Sequence, residues 1–259
     1  MGMMLSFRQL VCFILSLLSF LSVFYSVGKL GVFLATPVIR QRNHQNVPLT
    51  TLLNDGGKLK ATLFSLCFDG VWVILFVVQH SAMKAEVVKR FWRKLELEMA
   101  ERSVYNIATS YCLLILLKNW KSTQSNLWFV DVESSPTLWW TYVSAHIVSW
   151  IVIYGGSLLM DLPELVGLKQ VYYDVNDLAP PMSYKSRELR SFYGRMRHPS
   201  FVGLSVVLWI TNCMSLDRLL LAIIWTTYMY MTWNTNKTDL EYQKYQLSRK
   251  KVELTNVQE

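Results

Sequence analysis

Residues 138–160 read LWWTYVSAHIVSWIVIYGGSLLM, with no Asp, Glu, Lys or Arg among them. As a helix rising about 1.5 Å per residue, such a run crosses a bilayer core of about 30 Å. A soluble strand would be shorter, and a soluble amphipathic helix would show a charged face. The stretch therefore reads as a membrane span. Composition agrees: apolar residues make up 52% of 259, and the mean hydropathy is +0.24.

Five further apolar runs flank it, at residues 10–27, 61–79, 104–117, 201–214 and 219–233. The third and fifth of the six are short, and the second carries Asp69. The first follows Arg8, but Ser26-Val27-Gly28-Lys29 is a poor cleavage site. It reads as a retained signal-anchor helix. The expectation is an all-α, polytopic membrane helix bundle of about six transmembrane helices, forming one domain with a polar tail at 235–259.

Loop charge orients such a bundle. With six spans, 18 of the 26 Lys and Arg lie on the side of the two termini and 8 on the other. The positive-inside tendency then places both termini on the cytosolic or nucleoplasmic face. The net charge of +8 is mostly one-sided and suits anionic lipid headgroups. The lipid bilayer is thus the first partner. Direct nucleic-acid binding is not expected, because no soluble domain remains to carry a groove-reading element. Cys12, Cys67, Cys112 and Cys213 each sit in an apolar run without CxxC spacing, which suits packing.

Between the spans, Val88, Phe91, Trp92, Leu95 and Met99 recur at three- and four-residue steps among charged residues. This stripe predicts a helix lying in the membrane interface. Residues 32–60, with Pro37, Pro48 and Asp55-Gly56-Gly57, read as an irregular connection. Residues 161–197 form a long loop whose aromatic density argues for order. The last two spans are joined by a tight turn at Ser215-Leu216-Asp217-Arg218.

Four places carry candidate chemistry. Arg197-His198-Pro199 precedes a helix start, where free N–H groups and the positive dipole end favour an anion. Gly203, one turn on, lets a ligand or another backbone approach; a plain basic anchor at headgroup level reads equally well. His80 and Ser81 end the second span, yet no acid orients the imidazole and no glycine elbow presents the serine. This argues against a serine hydrolase, and a polar pocket wall or helix cap is the better reading. Asp69 and His146 lie within spans, where ionisable groups face a bundle interior or wet cavity; they could pair with each other, and a single satisfied polar contact joining two helices reads equally well. No cluster of His, Cys and carboxylates has metal-ligand spacing, so no metal is expected. A transporter would show inverted halves and broken spans, which are missing.

Several blocks in one order resemble the nurim family of multi-span inner-nuclear-membrane proteins. They are Gln79 to Met83, Glu101 to Tyr105, Trp120, His146 with Ser149-Trp150, and Asp161 with Glu164-Leu165. Gly167 to Tyr173, which includes Gln170, continues the series. Arg197-His198-Pro199, Asp217 to Ala222 and Asp239-Leu240 complete it. The same blocks resemble, more widely, isoprenylcysteine carboxyl methyltransferases and bacterial membrane thiol methyltransferases. The resemblance implies an inner-nuclear-membrane location, nuclear-envelope protein partners and a role that is structural or unassigned. Its enzymatic alternative is methyl transfer from S-adenosylmethionine to a thiol or lipid-modified substrate. Arg197, His198, Pro199 and Gly203 would then help bind that cofactor, with His80, Ser81, His146 and Gln170 as pocket candidates. One departure stands out. Active relatives carry paired glutamates after the last span, where Asn236-Lys237 stand here with Asp239 and Glu241 as the nearby carboxylates. Losing two anions weakens a site for a cofactor with amino and sulfonium charges.

Overall fold

The computed structural model describes residues 6–39, 47–83, 86–195 and 200–232, with 241, 245 and 248 in the tail. Its chain order is α1 (Phe7–Ile39), α2 (Leu49–Asn54), α3 (Gly56–Ala82), α4 (Glu86–Lys94), α5 (Glu98–Asn119) and β1 (Asn126–Phe129). There follow α6 (Pro136–Leu159), α7 (Leu162–Leu165), α8 (Leu168–Val175), a 3-10 turn (Pro181–Tyr184) and α9 (Arg187–Arg195). The chain closes with α10 (Phe201–Trp209), β2 (Cys213–Ser215) and α11 (Leu216–Thr232). Arg197, His198 and Pro199 lie outside the described residues, as does nearly all of the polar tail.

The fold is a helix bundle. α5 packs along α1 and α3, α11 along α3 and α10, and α10 along α6. Its central core gathers Leu34, Val73, Leu116, Leu208, Leu221 and Trp225. The outer faces are apolar as well: Ile14, Leu18 and Leu21 of α1 and Ile147 and Ile151 of α6 stand exposed. Phe7–Val38 and Gly56–Ala82 are long and apolar enough to cross a membrane. Apolar surface on both sides of a helix is what a lipid-embedded bundle requires.

Helix starts follow local chemistry. Asp55 Oδ1 accepts from Gly57 N and Lys58 N at 3.1 Å, so Asp55-Gly56-Gly57 opens α3 rather than lying in an irregular connection. Ser135 caps α6, with Pro136 in its first turn.

Three expectations need correction. First, α1 does not stop before residue 32 but runs through Pro37 to Ile39. Proline has no N–H for the carbonyl four residues back. Here Arg218 Nη2 donates to that orphaned carbonyl, Phe33 O, at 2.9 Å, and Asn212 Nδ2 donates to Pro37 O at 3.1 Å. Second, the fifth apolar run does not continue as helix to residue 214. α10 ends at Trp209, and β2 pairs antiparallel with β1, Asn126 opposite Ser215 and Phe129 opposite Cys213. Thr211 and Asn212 draw the chain out of the helix through their own side-chain bonds, Thr211 Oγ1 to Cys213 O and Asn212 to Pro37 O. Third, the interfacial stripe is two helices. Glu96 turns the chain at φ +56°, and Met99 is buried against Cys12 and Val171 instead of continuing the stripe.

Two contacts define the ends of the bundle. At one, Arg8 donates to Glu96 O at 3.1 Å and lies 3.6 Å from Asp174, gathering the start of α1, the α4–α5 turn and α8. This is called the near end. At the far end sit Pro37, the sheet and the start of α11.

Gly203 sets the α6–α10 distance. A Cβ there would lie 2.7 Å from both Ser149 O and Ile153 Cγ1. Gly203→Val should therefore lower stability by about 1–3 kcal/mol, read as a reduced thermal midpoint in detergent. Gly28→Ala, whose Cβ meets nothing within 4 Å, should not lower the midpoint, since alanine favours the α1 helix over glycine.

Candidate functional site

The near end collects the polar chemistry. α3 delivers His80 there, α5 delivers Tyr105, and α11 delivers Tyr228. The Tyr105 hydroxyl lies 2.8 and 2.9 Å from the two His80 ring nitrogens. The imidazole stacks on Phe76 and meets Tyr228 edge-on. Ser81 Oγ is hydrogen-bonded to Tyr228 Oη at 3.1 Å. Tyr228 thus contacts both residues, as the edge-on partner of His80 and the hydrogen-bond partner of Ser81, an arrangement that suits a pocket wall.

Beside this wall the ordered segment after α6 is pinned by ions. Lys185 Nζ lies 2.8 Å from Glu164 Oε2 and 3.5 Å from Asp161 Oδ2. Lys169 Nζ donates to the same Asp161 oxygen. Lys185 and Glu164 side chains are each 9% exposed, so the pair is nearly dry. Burial alone would raise the Asp161 carboxyl, but the two ammonium groups override it and hold it below the ordinary carboxylate range. Ser19 Oγ donates to Val166 O at 2.7 Å and Asn106 Nδ2 to Leu165 O at 2.9 Å, tying the corner to α1 and α5. The corner needs Gly167: its φ is +91°, and a Cβ would stand 2.4 Å from Ser103 Oγ.

Gln170 stands next to these ions. Its Nε2 donates to Glu164 O at 3.1 Å, while its buried Oε1 has no hydrogen-bond partner among the described residues. It lines a cleft of about 540 Å³. Lys89 and Arg93 of α4, Glu98 and Glu101 of α5 and Asp174 of α8 also line it. Tyr173 and Pro181 close it from the loop side. Nothing in the sequence pattern drew attention to this cleft, because its charges come from three helices separated by as many as 85 positions (Lys89 to Asp174).

The remaining candidates go elsewhere. His146 is buried, lines an apolar groove of about 890 Å³ between α1 and α6, and has no partner for either nitrogen among the described residues. Its expected pairing with Asp69 is not formed. Asp69 Oδ1 instead accepts from Lys121 N at 3.0 Å at the far end. There Asp217, which no sequence signal singled out as structural, accepts from Trp120 Nε1 at 2.8 Å and from Thr123 N and Oγ1 at 3.0 and 2.7 Å. Gly203 belongs to helix packing. Among the described residues, no group of three or more His, Cys, Asp or Glu is placed to hold a metal.

The ordered near-end blocks, from Gln79 through Glu101 and Asp161 to Tyr173, are the same blocks that carry the family resemblance, and direct comparison settles it. A nurim homolog from Drosophila melanogaster is 48% identical over 97% of this chain and 99% of its own length. The Drosophila pseudoobscura pseudoobscura homolog is 49% identical over the same shares. The chain belongs to the nurim family. Nurim from Rattus norvegicus is 36% identical over 74% of each chain, which extends the nurim likeness to vertebrates. No family model matches this nurim-family chain, and no solved structure matches it.

The ion pairs give two measurable outcomes. Lys185→Met strands the Glu164 carboxylate in a nearly dry corner, while Asp161 keeps Lys169; it should cost about 3–5 kcal/mol, read by thermal unfolding in detergent. The depressed Asp161 carboxyl stabilises the fold above its unfolded pKa of about 3.9, and this is lost as pH falls through the folded value. Asp161→Asn should flatten the acid limb of the stability–pH curve below about pH 4.

Proposed function

We propose that this chain is a six-span protein of the inner nuclear membrane, with both termini on the nucleoplasmic face, acting as a scaffold without substrate turnover. The observation that carries the scaffold reading is at Gly203. A Cβ added at Gly203 would lie 2.7 Å from Ser149 O and Ile153 Cγ1, so the two helices close the space beside it. Of the four residues the wider resemblance would assign to S-adenosylmethionine, Gly203 alone is described, and it does not fit that group. The membrane reading is supported by the outward apolar faces of α1, α3 and α6, and the six spans by the apolar runs of the sequence. The nurim-family likeness, whose implied location is the inner nuclear membrane, supports that part of the reading. The small extramembrane segments suit passage along a continuous membrane system. Protein partners at the nuclear envelope are part of this proposal.

The methyltransferase reading keeps one supporting observation. The near-end cleft is large enough for a ligand of drug size, for which sites run to about 300–1,000 Å³, and it holds carboxylates that suit a sulfonium or ammonium group.

Calorimetry on the detergent-purified protein separates the two. Absence of saturable S-adenosylmethionine binding at millimolar ligand is the expected result; saturable binding abolished by His198→Ala would overturn the scaffold reading. A fluorescent fusion should mark the nuclear rim, and a signal mainly at the plasma membrane would remove the location.

A further inference from the structure

His146 of α6 is 7% exposed, lines the groove of about 890 Å³ between α1 and α6, and has no partner for either ring nitrogen among the described residues. A buried polar group left so costs about 1–3 kcal/mol. Ionisable residues at membrane depth normally meet a partner or a wet cavity, and this one lines an apolar groove. From Trp139 to Leu158 the groove runs about 28 Å along α6, close to the apolar thickness of a bilayer. Its mean cross-section is then about 30 Å², against about 80 Å² for a helix of about 10 Å diameter. A partner helix is too wide to sink into it; a lipid is not. Gly155 widens the near half, where an added Cβ would meet nothing within 4 Å. Trp150 and Tyr154, ring centroids 6.0 Å apart, give that half broad flat walls.

A plain acyl chain in the groove would leave the imidazole unmet, and a charged group would be stripped of water at that depth. A neutral hydroxyl fits, because it donates to one ring nitrogen or accepts from the other, whichever is presented. His146 lies about 18 Å along α6 from Leu158 at the near-end mouth, so that hydroxyl must sit far from the headgroups. We propose that the groove binds a sterol carrying a hydroxyl on its side chain. The ring hydroxyl stays at headgroup level near Leu158. The fused rings fill the space beside Gly155 against Tyr154 and Trp150, and the side-chain hydroxyl reaches His146. A half-turn of the imidazole about Cβ–Cγ exchanges nitrogens and carbons within one outline and turns a nitrogen toward it. Rigid rings lose little freedom on binding, which favours a sterol over a hydroxylated acyl chain. The proposal rests on the membrane setting of the bundle and not on the location or the scaffold role proposed above.

The test is equilibrium binding of radiolabelled 25-hydroxycholesterol and cholesterol to the full-length protein in lipid nanodiscs. The hydroxylated sterol should bind saturably and at least about tenfold more tightly, a difference of about 1.4 kcal/mol. His146→Leu should bring the two affinities within about twofold of each other. Gly155→Leu, which fills open space, should weaken both sterols by about tenfold or more. A circular dichroism spectrum matching wild type shows that each variant is folded. A third probe, 12-hydroxystearate, should bind more weakly than 25-hydroxycholesterol. Absence of saturable binding by the hydroxylated sterol, equal affinity for the two sterols, or a preference that survives His146→Leu overturns the proposal. So does sterol affinity unchanged by Gly155→Leu, or tighter binding of 12-hydroxystearate, which would assign the groove to a hydroxylated acyl chain.

Discussion

Two buried carboxylates at the far end, Asp69 of α3 and Asp217 of α11, are fastened to one stretch of chain, Trp120 to Thr123. Both are essentially inaccessible to solvent, and an unpaired carboxylate there would be prohibitive. Backbone N–H groups and the Trp120 indole supply the donors. The same stretch leads into β1, which holds β2 against the start of α11. Trp120 meets Phe33 of α1 edge-on, and Arg218 lies over the other part of that ring while donating to the Phe33 carbonyl. Four helices and a small sheet are thereby joined through one set of polar contacts. Apolar helices slide easily against each other in lipid, where no hydrophobic force separates one apolar partner from another. Polar contacts of fixed geometry give such a bundle its register.

The near end is held differently. There the contacts are ion pairs of side chains, Lys185 with Glu164 and Asp161, and Lys169 with Asp161, closed over the Gly167 corner. One end is locked mainly by backbone donors beside a small pocket of about 230 Å³, and the other by long side chains around a cleft of about 540 Å³. That division of labour explains why the polar candidates separate. His80, Ser81 and Gln170 lie at the near end, and Asp69 is part of the far-end lock. His146 faces an apolar groove.

Much of the bundle was legible in the chain. Runs such as 138–160 name the helices because an uncharged stretch of that length has few other uses. The blocks at Gln79 to Ser81 and Asp161 to Tyr173, read from the chain as lying on one face, both lie at the near end. What escaped was non-local. Pro37 argues against a helix until Arg218, 181 positions later, is seen to take the freed carbonyl. Thr211 and Asn212 sit in an apolar run, and only their side-chain bonds show that the helix has stopped. Asp69 invited a partner in another span, while its actual partner is a backbone N–H that no sequence pattern reveals. The cleft is assembled from charges on three helices, each unremarkable within its own segment.

The claim that one shared stretch couples the two far-end carboxylates is tested most directly by a double-mutant cycle of Asp69→Asn and Asp217→Asn, followed by thermal unfolding in lipid nanodiscs. Residues of one network show interaction energies of about 0.5–3 kcal/mol, and a coupling in that range is the expected result. Strict additivity of the two substitutions would contradict the account.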